Sequence, residues 1–179
     1  MANNTKVVTT PVRISYAHIF EPVSIVEGAK ARYSVSILIP KTNTELVKKI
    51  NDAIDAAIEK GTSTTFNGKK PNKAALKLPI KDGDLKEDPV YQGHWYLNVS
   101  SNNAPQIVDR DLNPIFDKSE VVSGDYCRIS INFGAYNVTG SKGVSAYLGN
   151  IQFVRKGEPL GGRTSASTDF SNSTEEDFL

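Results

Sequence analysis

Lys30-Ala-Arg-Tyr-Ser-Val-Ser-Ile-Leu-Ile39 is the stretch on which the fold turns. In an extended chain Tyr33, Val35, Ile37 and Ile39 fall on one side, and Lys30, Arg32, Ser34 and Ser36 on the other. A period of two is what a strand with one buried face requires, and its β-branched residues suit a pleated surface. Pro40 cannot donate to a ladder and closes the run.

The same alternation recurs outward from that stretch. From Asp125 to Tyr136, Cys127, Ile129, Ile131 and Phe133 face inward, while Tyr126, Arg128, Ser130 and Asn132 face out. Val144 to Arg155 returns as its partner after a Thr139–Gly143 hairpin loop, and Gly134 is expected to mark a bulge. From His94 to Ser100, Trp95, Leu97 and Val99 oppose His94, Tyr96, Asn98 and Ser100. Nearer the start, Val7 to Ile19 reads as a strand interrupted by Pro11 and ended by Pro22, with Val12, Ile14 and Tyr16 inward and Arg13 and Ser15 outward. Tyr16, Tyr33, Trp95 and Phe133 are therefore expected in the core.

One helix is legible, Thr44 to Lys60, with Leu46, Val47, Ile50, Ala53, Ile54, Ala57 and Ile58 on one stripe. Thr42 and Glu45 have capping-box spacing, and Gly61 is the expected stop. The stripe suits a cover for one open end of a sheet. Residues 62–90 have no strong period and carry lysines at 69, 70, 73, 77, 81 and 86. They read as a solvated loop or as an arm that reaches phosphates. Five or six strands, one substantial helix and long loops make a mainly β chain, for which a Greek-key barrel is the natural closure.

Charge divides the 179 residues in two. Residues 164–179 contain Asp169, Glu175, Glu176 and Asp177 and no Lys or Arg. Residues 1–163 hold all 21 Lys and Arg against 16 Asp and Glu, a net of +5. The domain division is thus a basic body, 1–163, and a Ser/Thr-rich acidic tail, 164–179, too poor in apolar residues to offset its ordering entropy and expected to be disordered. Glu175-Glu176-Asp177 running into Phe178-Leu179 suits a basic groove with an apolar pocket, on a partner or on this body.

Much chemistry lacks its residues. There is no GxxxxGK[ST], GxGxxG or GxSxG motif. A single cysteine, Cys127, and two histidines, His18 and His94, exclude a multi-cysteine zinc site and give little material for a hydrolytic triad. Lys81-Asp82-Gly83-Asp84 reads as a turn rather than a divalent-metal pair. No metal, cofactor or catalytic residue is expected. No run is long and apolar enough for a membrane span, and the N-terminus lacks signal-peptide order, so the expected compartment is the cytoplasm.

The outward positions point to binding. Arg13, Lys30, Arg32, Tyr96, Tyr126 and Arg128 share the polar strand faces, with no Asp or Glu at an outward position in those runs. Together with Lys69, Lys70 and Lys73 of the loop they form a candidate DNA-binding set. Cations meet phosphates and flat rings stack on bases, in a manner that tolerates sequence. Outward Arg, Lys and Tyr also occur on any half-exposed sheet, so a structural or assembly barrel without DNA affinity is the alternative. A metal-dependent nuclease using Asp82, Asp84 or Asp88 is a third.

Several runs together resemble a known family: Arg13-Ile-Ser-Tyr-Ala-His-Ile-Phe-Glu-Pro22, Tyr33-Ser-Val-Ser-Ile-Leu-Ile-Pro-Lys41, Leu78-Pro-Ile-Lys-Asp-Gly-Asp84, Tyr91-Gln-Gly-His-Trp-Tyr-Leu-Asn98, Ala104-Pro-Gln-Ile-Val-Asp109 and Gly149-Asn-Ile-Gln152. Over residues 6–162 the chain resembles bacteriophage OB-fold single-stranded-DNA-binding proteins, formerly a domain of unknown function. The resemblance implies an OB-fold-like Greek-key barrel, work in DNA replication or recombination, no catalysis, a homodimer, and a place in the host-cell cytoplasm. Single-stranded DNA is the implied partner, with double-stranded DNA second. It further implies that Glu175, Glu176, Asp177 and Phe178 recruit replication or recombination proteins and that the tail competes with DNA. Tails of this type more often end on the aromatic, whereas this one ends on Leu179.

Overall fold

The computed structural model describes residues 4–24, 26–160 and 170–179. In chain order the elements are β1 (Lys6–Val8), β2 (Val12–Val23), β3 (Arg32–Pro40), α1 (Thr44–Thr62), β4 (Ile80–Asp82), β5 (His94–Ser101), β6 (Ile107–Val108), β7 (Tyr126–Val138) and β8 (Ser141–Arg155). Among the described residues the sheet has eight strands rather than five or six. The difference lies in β1, β4 and β6, which are only two or three residues long.

The five long strands close on themselves. They run β7-β2-β3-β5-β8, and β8 pairs with β7 to complete the circuit. Neighbours are antiparallel except at the β5–β8 seam, where Ser100 pairs with Tyr147 in parallel. This is an OB-fold-like Greek-key barrel, and closure removes the exposed edges that an open sheet of this size would present. Val35, Ile37, Leu97, Val99, Ile129, Ile131 and Phe133 fill the interior, as the alternation requires. Each such side chain contributes roughly 1.5–3 kcal/mol by leaving water.

α1 seals one end of the barrel with Leu46, Ile50, Ala53, Ile54, Ala57 and Ile58. Its cap differs from the expected one: Asn43 is the N-cap, its side chain accepting from Leu46 N at 3.3 Å. Asn matches Thr as a cap and sits one residue nearer the helix, so it takes the position. Gly61 does not stop the helix, which runs on to Thr62. A Cβ on Gly61 would lie 2.6 Å from Ala135 Cβ, so its role is close packing of helix on β7. Gly134 is likewise not at a bulge; it pairs regularly with Ser145, and a Cβ there would come 3.0 Å from the Tyr147 ring. The register of β7 and β8 breaks instead between Tyr126 and Cys127 and between Ile129 and Ile131.

β2 also departs from expectation. It continues through Pro22 to Val23, because the register against β3 slips twice, between Ser15 and His18 and again before Val23. Pro22 sits within the second irregular stretch, where a missing N–H costs little. The first slip inserts one extra residue, and Tyr16 takes the left-handed conformation there, φ 47°. The bulge turns the Tyr16 ring out of the barrel, leaving it 59% exposed. Tyr33 and Trp95 are half-buried against the core, and Phe133 is buried within it.

Of the tail, residues 164–169 lie outside the described residues. Within 170–179 every residue is exposed, and Glu175–Phe178 form a 3-10 turn. The Asp177 carboxylate accepts from the Thr174 backbone N–H at 2.6 Å and from its hydroxyl at 3.3 Å.

Candidate nucleic-acid interface

Barrel register decides which outward residues are neighbours. Lys81 stands opposite Tyr96, Tyr96 opposite Leu38, Leu38 opposite Arg13, Arg13 opposite Tyr126, and Tyr126 opposite Arg155. Directly opposed residues share a face, so these six form one row around the outside, crossing β4, β5, β3, β2, β7 and β8. Tyr96 and Tyr126 are three strands apart, roughly 14 Å along the sheet. The row therefore has two centres rather than one flat patch.

The first centre gathers around Lys86. Its Nζ lies 4.1 Å from the Tyr91 ring, 5.1 Å from Tyr96 and 5.5 Å from Tyr16. Tyr91 and Tyr96 meet edge to face, with centroids 5.1 Å apart. The Tyr91 hydroxyl donates to Ser36 Oγ at 3.1 Å, and Tyr91 and Leu38 are fully buried outside the barrel core. Residues 83–91 thus lie along β5 with Tyr91 seated on the outer face of β3, and the Tyr16 and Tyr96 rings stand beside Lys86. Cation–π attraction holds the ammonium over the rings while leaving it able to meet an anion.

A latch fixes this segment. Lys41 Nζ reaches Asp82 Oδ1 at 2.7 Å and Asp84 Oδ2 at 2.6 Å, and lies 4.7 Å from the Trp95 ring centre. Asp84 Oδ1 accepts from Gly93 N at 2.7 Å, and Asp82 Oδ1 from Asp84 N at 2.9 Å. Hydrogen bonding to Lys41 holds the Asp82 carboxyl below its ordinary range, and the Gly93 N–H, then Lys41, does so for Asp84. The two aspartates that invite a metal reading instead clasp a lysine.

The second centre is Tyr126, with the Arg155 guanidinium 4.2 Å over its ring. Arg13 is tied down here: its Nε donates to Gly124 O at 3.2 Å and its Nη2 to Glu158 O at 2.7 Å. With Leu160 N donating to Ser123 O at 3.0 Å, that stitches Glu158 and Leu160 beside the row. Arg128 donates to Thr9 O at 3.2 Å and to Gln152 Oε1 at 3.1 Å.

The remaining candidates spread further. Arg32 lies on the outward side of β3, six residues before Leu38, and its buried Nε has no hydrogen-bond partner among the described residues. A guanidinium with an unused, desolvated donor is primed for an anion. Lys30 is exposed just before β3. Lys70 reaches Glu59 at 3.1 Å and Lys73 reaches Asp55 at 2.7 Å, both on α1, with exposed Lys69 beside them. Lys70 and Lys73 are therefore anchored on the helix side, whereas Lys81 and Lys86 of the same loop stand beside Tyr96. Glu175, Glu176, Asp177 and Phe178 stand exposed on the terminal turn.

Sequence reading missed Tyr16, Lys86, Tyr91 and Tyr147. Tyr147 is exposed on β8, opposite Asn132 and Ser100, and its outward position is legible from the Ala146/Leu148 alternation. Lys86 and Tyr91 lie in a segment without a period, and only packing reveals them.

Residues 5–179 match the family model described as Enterobacter phage Enc34, ssDNA-binding protein. The chain belongs to that family. Putative protein p50 of Acyrthosiphon pisum secondary endosymbiont phage 1 is 32% identical over 186 residues, covering 97% of this chain and 98% of the relative. The Enc34 single-stranded DNA-binding protein in complex with ssDNA superposes with a TM-score of 0.75 at 22% identity, over 88% of this chain and 90% of that one. Single-stranded DNA-binding protein gp2.5 of bacteriophage T7 superposes with a TM-score of 0.53 at 16% identity, over 96% of each chain. Both solved structures share the fold with this Enc34-family member, and the family match extends through the acidic end.

Proposed function

We propose that this protein binds single-stranded DNA on the outer face of β3, β4 and β5, without catalysis and with little choice of sequence. One observation carries the reading: a lysine ammonium ringed by Tyr16, Tyr91 and Tyr96, with Tyr16 exposed by a bulge and Lys81 opposite Tyr96. Rings on that surface stack bases, Lys86, Lys81, Lys30 and Arg32 meet phosphates, and nothing in the arrangement selects one base by its edge. Arg13, Tyr126, Arg128 and Arg155 extend the basic surface along the row, and Lys69, Lys70 and Lys73 add longer-range attraction. The family's Enc34 member, seen in complex with ssDNA, supports the reading.

The wider role follows as replication or recombination work in the host cytoplasm, as a homodimer, with double-stranded DNA as a secondary ligand. Gly157 and Glu158 are held beside Tyr126 and Arg13; the tail's four acidic groups compete with DNA for the basic surface, and Phe178 with Glu175, Glu176 and Asp177 engages a partner. The deciding experiment is a fluorescence-anisotropy titration of an oligo-dT over a range of salt. The logarithm of affinity should fall with log salt at about 0.7 per phosphate neutralised, on the order of 3 to 4 for five contacts. A flat salt response, or no binding at low salt, overturns the proposal and returns the chain to an assembly role.

A further inference from the structure

The closed five-stranded circuit is thinnest at one seam. β5 pairs with β4 through Trp95–Leu97 and with β8 only at Ser100, so a window opens between β4, β5 and β8. Hydrogen bonds frame it at the far side, where Lys77 N donates to Lys142 O at 3.0 Å and Val144 N to Lys77 O at 2.9 Å. The cleft has a volume of about 540 Å³, within the usual range for a small-molecule pocket. Leu78, Pro79, Val144 and Ala146 supply apolar surface, and Tyr136 stands at the rim.

The polar groups of this cleft are unemployed. Asn98, Ser100 and Ser145 make no side-chain hydrogen bond, and Lys77 and Lys81 no ion pair, among the described residues. Serines elsewhere on the barrel are in use: Ser36 holds Tyr91, Ser123 accepts from Ala17 N and Ser130 from Asn150 N. Three neutral donor–acceptor side chains and two lysines thus line a partly apolar slot. Asn98 is the next outward residue on β5 after Tyr96, so the slot continues the aromatic platform.

We infer that this cleft takes one nucleotide of the bound single strand, its base turned out of the stacked run and its edge set against Asn98, Ser100 and Ser145. The apolar floor covers one face of the base, and Lys77 and Lys81 flank its phosphates. Hydroxyl and amide groups both donate and accept, so the slot accommodates any base at one fixed position of the footprint. The inference rests on the DNA-binding reading above and names a subsite of that interface.

The test uses the full chain and dT oligomers carrying a single abasic residue, walked along the strand. Expected is a drop of about tenfold at one abasic position. The Asn98→Leu/Ser145→Val variant should lose about tenfold on intact dT and show no further loss at that position. Lys81→Gln, an exposed change, should weaken all oligomers alike and preserve the abasic profile. A thermal melt checks each variant for folding. If the double variant misfolds, Ser145→Phe, which fills the slot from its rim, should abolish the same abasic signal. A flat abasic scan, or full affinity in the cleft variants, overturns the cleft alone if dT still binds through Tyr16 and Lys86. Absence of any dT binding overturns both readings.

Discussion

The Lys86 ammonium stands 5.5 Å from the Tyr16 ring, though one belongs to an irregular segment and the other to a bulged strand. The bulge costs Tyr16 its ordinary backbone conformation, since left-handed geometry disfavours a non-glycine residue by roughly 1–2 kcal/mol. Tyr16→Gly should therefore separate strain from stacking. Thermal stability should hold or rise, because glycine adopts φ 47° freely. Affinity for dT should drop roughly 5- to 150-fold, the equivalent of one lost base stack. Unchanged affinity would remove Tyr16 from the interface.

Lys86→Gln tests the other partner of the pair. It should lower affinity and reduce the salt slope by about 0.7, one phosphate contact. Lys70→Gln and Lys73→Gln, whose native charges face Glu59 and Asp55, should change the slope less. An equal reduction in all three variants would shift the interface onto the helix side.

The Lys41 latch has a pH signature. Asp82 and Asp84 are held below their ordinary 3.8, so the stability they add is present above that value and is lost as pH falls through their folded-state range. Lys41 is raised above its ordinary 10.5 by hydrogen bonds to Asp82 and Asp84, so its share is present below 10.5 and is lost only at higher pH. Hydrogen-exchange protection of the 83–93 segment, corrected for intrinsic rates, should be flat from about pH 5 to 9 and fall below about pH 4. Lys41→Met should weaken the acid dependence, leaving the part that the Gly93 N–H bond to Asp84 and the Asp84 N–H bond to Asp82 supply, while leaving α1 protected. A segment equally protected in Lys41→Met would show that the latch holds nothing.

Gly61→Ala sets helix propensity against space. Alanine favours a helix interior by about 1 kcal/mol, but its Cβ would lie 2.6 Å from Ala135 Cβ. Overpacking of this kind costs about 1–3 kcal/mol, so net destabilisation is expected in urea unfolding. A stabilised variant would mean that α1 shifts readily on β7.

Removing residues 164–179 takes away four negative charges, Asp169, Glu175, Glu176 and Asp177. Affinity for dT should rise at low salt, and the two proteins should converge as salt screens the tail. Equal affinity at low salt would confine the tail to partners or solubility.

Tyr16 and Phe133 show where legibility ends. Both occupy inward positions of an alternating run, yet Phe133 is buried and Tyr16 is exposed. Alternation is a local property, because successive side chains of any strand point to opposite faces, so the strands, their inner faces and the helix stripe could be read from residue order. So could the charge division at residue 163 and the absence of the common nucleotide-binding and hydrolase motifs. A bulge depends on how a strand registers against its partner, and no local period reports it. Register also placed Arg13, Tyr96 and Tyr126 in one row, while backbone carbonyls of Gly124 and Glu158 engaged Arg13. Only tertiary packing set Lys86 among three rings and left the window beside β5 open, because those positions follow from which surfaces meet when the barrel closes.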